Sequence, residues 1–140
     1  MAASMNRPVL AASAACFRGG KLLLARRAVP PLLWTLPGGR VEFGEAAADA
    51  AQRELLEETA IEAEIAGFAG YREMMLAGDD GPAERHFVIL SFAARWRAGE
   101  PRTNAELSAV EWIEPTMISR FETTEGLGEI VTAAQRLLGE

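Results

Sequence analysis

The chain has 140 residues, 49% hydrophobic and 24% charged, enough for one packed domain and free of any biased tract that would argue for disorder. A formal net charge of -6 and an isoelectric point near 4.9 argue against a general electrostatic hold on nucleic acid or anionic membrane. With Cys16 as the single cysteine an internal disulfide is excluded, and a reducing, cytoplasmic setting fits best.

Arg7, the apolar run from Val9 and the small residues Ala12-Ser13-Ala14 superficially echo a secretory leader. That run is short and passes straight into Phe17-Arg18-Gly19-Gly20-Lys21-Leu22-Leu23-Leu24, which reads better as a hairpin. No segment approaches the ~18–20 apolar residues of a membrane span. The first strand is therefore expected from Val9 to Phe17 and the second from Lys21 to Arg26. Pro30 and Pro31 then break regularity. Trp34-Thr35-Leu36 is a short extended piece, followed after Pro37-Gly38-Gly39 by a second extended segment, Arg40-Val41-Glu42-Phe43.

Gly44 is an acceptable N-cap for a helix from Glu45 to Thr59, rich in alanine, with Ala48, Ala51 and Leu55 as its core stripe. Glu62 to Met74 is expected to be extended, and Gly78, Asp79, Asp80 and Gly81 build a loop over Ala77 to Pro82. Arg85 to Trp96 reads as a central strand, ended by Gly99-Glu100-Pro101. Val110 to Ile113 is a short strand, and Glu125 to Leu138 has helical spacing through Ile130, Ala133, Ala134, Leu137 and Leu138. Strands mixed with two unequal helices imply an α/β layered domain.

The chemistry concentrates between Gly39 and Ile61. On the expected helix, Glu54, Glu57 and Glu58 stand at i, i+3 and i+4 and share one face. Like charges so placed repel by roughly 0.2–0.5 kcal/mol per pair. A hard divalent cation would turn that repulsion into a binding site, since Mg²⁺ and Mn²⁺ prefer oxygen ligands. A solvated acidic face is the bland alternative. Glycines at 38 and 39 let the backbone approach a ligand closely, and Arg53 is suited to fixing a neighbouring carboxylate.

Gly39, Glu45, Arg53, Glu54, Leu55, Glu57, Glu58 and Ile61 stand at the spacing of the box that marks Nudix hydrolases, and the run Trp34 to Gly39 is a common approach to it. The chain thus resembles that family, with its MutT-like and ADP-ribose pyrophosphatase-like branches. Only Ala60 departs, where the family has glycine. The resemblance implies an α/β/α sandwich with a mixed central sheet over residues 1–140. It also implies hydrolysis, with Mg²⁺ or Mn²⁺, of a nucleoside diphosphate linked to another group, such as ADP-ribose or a (d)NTP. By the same resemblance Glu57 and Glu58 are metal ligands, Glu54 is a ligand or the base, and the Gly39 carbonyl completes the inner shell. Glu45 and Arg53 support them, Arg53 being counted with the catalytic set. A nucleotide-binding sensor that lacks turnover is the alternative, and homodimerisation is left open.

Members of the family often add one acid from a later loop. Glu106 falls there as ligand or base, with Glu111 a weaker choice. Arg26 and Arg27, at the end of the second strand, are candidates for phosphate or base contact. Trp34 reads as core rather than a stacking platform, Cys16 as a buried apolar group, and His86 as a minor candidate for a base. Substrate markers are missing: the position of the proline found in ADP-ribose enzymes is Ala77, and Tyr71 comes too early for the tyrosine of diadenosine polyphosphate enzymes.

Overall fold

The computed structural model describes residues 7–77 and 83–139, so of the loop expected over Ala77 to Pro82 only Ala77 is described, as the end of a strand, and the rest lies outside the described residues. In chain order the elements are β1 (Val9–Arg18), β2 (Lys21–Arg27), β3 (Trp34–Thr35), β4 (Gly38–Arg40), α1 (Ala47–Thr59), β5 (Glu62–Ala77), β6 (Ala83–Ala98) and β7 (Leu107–Ile113). A 3-10 helix over Pro115–Arg120 and α2 (Leu127–Leu138) follow.

All seven strands join one mixed sheet. β1 pairs with β6 in parallel from Val9–Phe87 to Phe17–Arg95, and β5 pairs antiparallel with β6. The expected β1–β2 hairpin forms, with Gly19 and Gly20 at φ 56° and 81° supplying the left-handed two-residue turn. The two strands stay paired only beside that turn, at Phe17–Leu22 and Arg18–Lys21. They then diverge, and the wedge between them is filled by β3, on Ala25 and Arg26, and by β4, on Ala11 to Ser13. β7 covers the far side of β2.

Helices cover both faces, which makes the α/β/α sandwich. β1 is buried along both sides, so its side chains alternate between two cores. Ala12, Ala14 and Cys16 meet Ala50, Ala51 and Leu55 of α1. Ala15 and Phe17 face Ile130, Val131, Ala134 and Leu138 of α2. Cys16 is buried, as expected, and burial pushes its thiol up to about 12. Trp34 packs against the α2 core, edge-on to Phe121 at 5.1 Å, which supports its reading as a core residue.

Several boundaries differ from the sequence reading. α1 begins at Ala47 behind Ala46, not at Glu45 behind Gly44, and no side chain caps it. Glu45 stays outside because its carboxylate accepts the Glu42 amide and two Arg53 nitrogens. Consequently the stripe is Ala50, Ala51 and Leu55, and Ala48 is only half-buried. The segment expected as Arg40 to Phe43 contributes only Arg40 to a strand, and Phe43 stands exposed in a turn. β5, β6 and β7 are longer than expected, and α2 starts at Leu127 because Gly126 is left-handed at φ 79°. The 3-10 helix behind Glu114 had no counterpart in the expectation. No helix among the described residues is long and apolar enough to cross a membrane.

Candidate active site

The site is built where β4 crosses the N-terminal half of β1 and α1 lies alongside. A methyl on Gly38 would land against the Ala12 carbonyl oxygen and the Ser13 Cα and Cβ, and one on Gly39 would occupy the Glu54 carboxylate. Glycine is required at Gly38 for close approach to the backbone, and at Gly39 it leaves the space that Glu54 fills. The Gly38 amide donates to Glu58 Oε1 at 2.9 Å. Of two consecutive glycines, one thus holds Glu58 and the other makes room for Glu54 on the same helix face.

Arg53 organises the solvent side of that face. Its Nε and Nη2 donate to Glu45 at 2.7 and 2.9 Å, the planar fork that a lysine cannot supply. Nη1 reaches Glu54 at 2.9 Å and Glu57 at 3.2 Å, and Nη2 reaches the Arg40 carbonyl at 3.1 Å. Arg53 hydrogen bonding, helped by the Glu42 amide, pulls the Glu45 carboxyl down to about 2. The expected support of the helix by Glu45 and Arg53 is therefore present as a bonded network.

Glu58 is in the opposite situation. Burial, then hydrogen bonding with Glu106, pushes its carboxyl up to about 8, against the Gly38 amide, and the charges of Glu54 and Glu106 push the same way. Glu54 is raised too, first by burial and offset by Arg53, with Glu57 and Glu106 adding repulsion. The structure thus brings Glu106, from the segment before β7, to the carboxylates of α1. Asn104 sets it there by accepting the Glu106 and Leu107 amides on Oδ1 at 2.9 and 3.0 Å. Glu57, more exposed, points to Arg53. Among the described residues no three His, Cys, Asp or Glu side chains are already drawn together as a ligand shell. The carboxylates are turned instead to the protein's own N–H donors. An all-oxygen, carboxylate-rich donor set of this kind suits a hard divalent cation.

The other candidates separate cleanly. Arg27 lines the recess shared by Gly38, Glu58 and Glu106. Its neighbour Arg26 turns the other way, donating from Nε to Ser108 at 2.9 Å with its guanidinium over Trp34. Glu111 is exposed on β7 opposite Leu24, and His86 pairs with Glu73 at 3.0 Å, neither lining the recess. Beyond Gly38 and Gly39 opens a cleft of about 230 Å³ between β1, β5 and β6, with Arg72, Arg85, Phe87 and Thr124 in its wall. None of these four was singled out in this cleft by sequence. Counting alternation along β5 could not have placed Arg72, because the pairing with β6 shifts register at Ile65/Gly67 and again at Phe68/Gly70.

The NUDIX domain model matches residues 7–134, and the chain belongs to that family. A Mycobacterium tuberculosis protein provisionally named 8-oxo-dGTP diphosphatase 2 is 36% identical over 123 residues, covering 78% of this chain and 82% of its own. A Bacillus subtilis protein, provisionally named an 8-oxo-dGTP diphosphatase, is 34% identical over 100 residues, 71% of this chain and 61% of its own. The match to a MutT-like protein of Streptomyces ambofaciens takes in 59% of that protein, so these two relatives are spanned over about three-fifths of their length. Among solved structures, the MutT NUDIX hydrolase of Burkholderia pseudomallei has a TM-score of 0.71 at 26% identity, covering 95% of this chain and 99% of its own. A NUDIX hydrolase of Nitrosomonas europaea shares the fold with a TM-score of 0.76 at 18% identity, over 93% and 90% of the two chains.

Proposed function

We propose that this protein is a Mg²⁺-dependent pyrophosphohydrolase, with Mn²⁺ as the other suitable ion. Its substrates are nucleotides in which a nucleoside phosphate is joined to another group through a phosphoanhydride. The observation that carries this reading is that Gly38 donates to Glu58 and Gly39 leaves room for Glu54 on one face of α1, while Glu58 and Glu106 line one recess with Arg27. The Gly39 carbonyl, Glu54, Glu57, Glu58 and Glu106 would hold the ion. When bound it would neutralise phosphate oxygens and lower the pKa of a water.

The chain's own part is positioning and proton transfer. Arg27 offers a fork to phosphate oxygens. A water attacks phosphorus, the bridging oxygen leaves with the second phosphate, and the water's proton passes to Glu54 or Glu106. Arg53 holds Glu54 and Glu57 in place throughout. The names of the two diphosphatase relatives favour nucleoside triphosphates over nucleotide sugars as substrates.

Incubation with dNTPs, ADP-ribose and NADH, with and without Mg²⁺, tests the reading. Turnover is expected only with the ion, and Glu57→Gln and Glu58→Gln should each lower it by roughly 10- to 100-fold. Turnover unchanged in both variants would sink the mechanism. Tight nucleotide binding with no turnover would make the protein a sensor.

A further inference from the structure

α1 covers only part of its side of the sheet. Its Ala50, Ala51 and Leu55 pack over Ala12, Ala14 and Cys16 of β1. Register fixes what lies further along the same face. Leu10 continues the β1 series and stands beside Val88 of β6. On β5, Phe68 is opposite Phe92, Tyr71 opposite Leu90 and Met75 opposite His86. The Phe68 ring meets that of Phe92 edge-on at 5.5 Å, and Phe92 packs against the α1 core, which fixes the side. Leu10, Phe68, Tyr71 and Met75 are 44%, 52%, 62% and 62% exposed, four large side chains on one uncovered half-face. Val88 and Leu90, half-buried, link them into a single patch.

Charge narrows the choice of what covers this face. Register adds Glu73, opposite Val88, and His86 to it, and these two bond to each other at 3.0 Å. Among the described residues it places no lysine or arginine there, so the face offers nothing to an acidic partner or an anionic headgroup. A chain of net charge -6 meets its own copy with least repulsion through such a face. The side chains also suit one another, because a methionine thioether such as Met75 packs well against rings such as Phe68 and Tyr71. Across a two-fold axis each such contact is made twice. The area suffices: the four exposed side chains offer on the order of 400 Å² per copy. Interfaces are about 60% apolar, so two such faces build roughly 1,300 Å² in total, within the range of stable complexes. We propose that this half-face is the interface of a two-fold homodimer, sheet packed on sheet.

Sedimentation equilibrium on the full chain at micromolar concentration is the test. Wild type should be a dimer, and Tyr71→Asp and Met75→Glu should each weaken association by roughly 10- to 100-fold. Both positions are exposed, and far-UV circular dichroism should show the variants folded like wild type. Hydroxyl-radical footprinting of wild type needs no substitution. Labelling of Phe68, Tyr71 and Met75 should fall as protein concentration rises through the dissociation constant. A monomeric wild type overturns the proposal, and so does a dimer that neither variant weakens. Monomeric protein that binds uncharged phosphatidylcholine vesicles would assign the face to a lipid surface and overturn the proposal as well.

Discussion

Glu58 accepts the Gly38 amide at 2.9 Å and lines one recess with Glu106. One side chain therefore ties α1 to β4 and sets it beside the segment before β7. Its position is held by backbone donation, yet its charge is opposed by burial and by two other carboxylates.

A pH dependence follows. The folded chain raises Glu58 from the usual 4.5 to about 8, so the folded state favours the protonated form. The resulting stability is fully present below pH 4.5 and is lost as pH rises through about 8. Urea unfolding in the presence of a chelator should show Glu58→Gln drawing ahead of wild type across that window and levelling off above it. Parallel stability curves for the two proteins would refute the assignment.

Gly38 and Gly39 should respond differently to alanine. At Gly38 the added methyl meets backbone, which cannot yield, and a loss of about 2 kcal/mol or more is expected in urea unfolding. At Gly39 the methyl meets only the end of the Glu54 side chain, which can move. Stability should hold within about 1 kcal/mol, while kcat/KM falls by roughly 100-fold because a carboxylate is displaced. Equal stability losses in the two variants would contradict this division.

Arg53→Lys keeps the charge but removes the fork to Glu45. A fall in kcat/KM of roughly 10- to 100-fold is expected. Glu45→Gln examines the same contact through acid titration. Because Arg53 lowers Glu45 from 4.5 to about 2, the contribution of the pair is present above pH 4.5 and fades as pH drops toward 2. The glutamine variant should lack that acid-dependent component, as read by fluorescence-monitored unfolding from pH 5 to about 2.

Ala60 closes α1 in the left-handed region, at φ 66° and ψ 15°, and its amide donates to the Leu56 carbonyl. Alanine bears a steric cost there that glycine does not, partly offset by glycine's greater freedom when unfolded. Ala60→Gly should gain up to about 1 kcal/mol in thermal or urea unfolding, with kcat within about twofold of wild type. A much larger gain in activity would show that the alanine limits the site.

The local part of the site was legible because it depends on helix periodicity. Glu54, Glu57 and Glu58 needed only a helix to share a face, and that helix is present. Whatever depended on tertiary contacts was less accessible. Arg26 and Arg27 are indistinguishable in sequence, but neighbours on a strand face opposite ways, and only Arg27 lines the cleft. Glu106 was found by resemblance, whereas Asn104, which turns the chain to aim it, carries no motif. Arg72 was hidden by two register shifts in β5. Glu45 was mistaken for the first helical residue since its bonds to Arg53 cannot be seen from propensity.

The parallel pairing of β1 with β6 has a consequence for how the molecule comes into being. Ser13 and Ser91 share a buried hydrogen bond across 78 positions of chain. Such distant pairing must await the loop between the partners, and it slows closure of the sheet. On a ribosome, β1, the two glycines and α1 all emerge before β6, the parallel neighbour of β1, and Glu106 emerges later still. The carboxylate face of α1 and its two glycines are thus made early, and Glu106 joins them only once the last third of the chain has arrived.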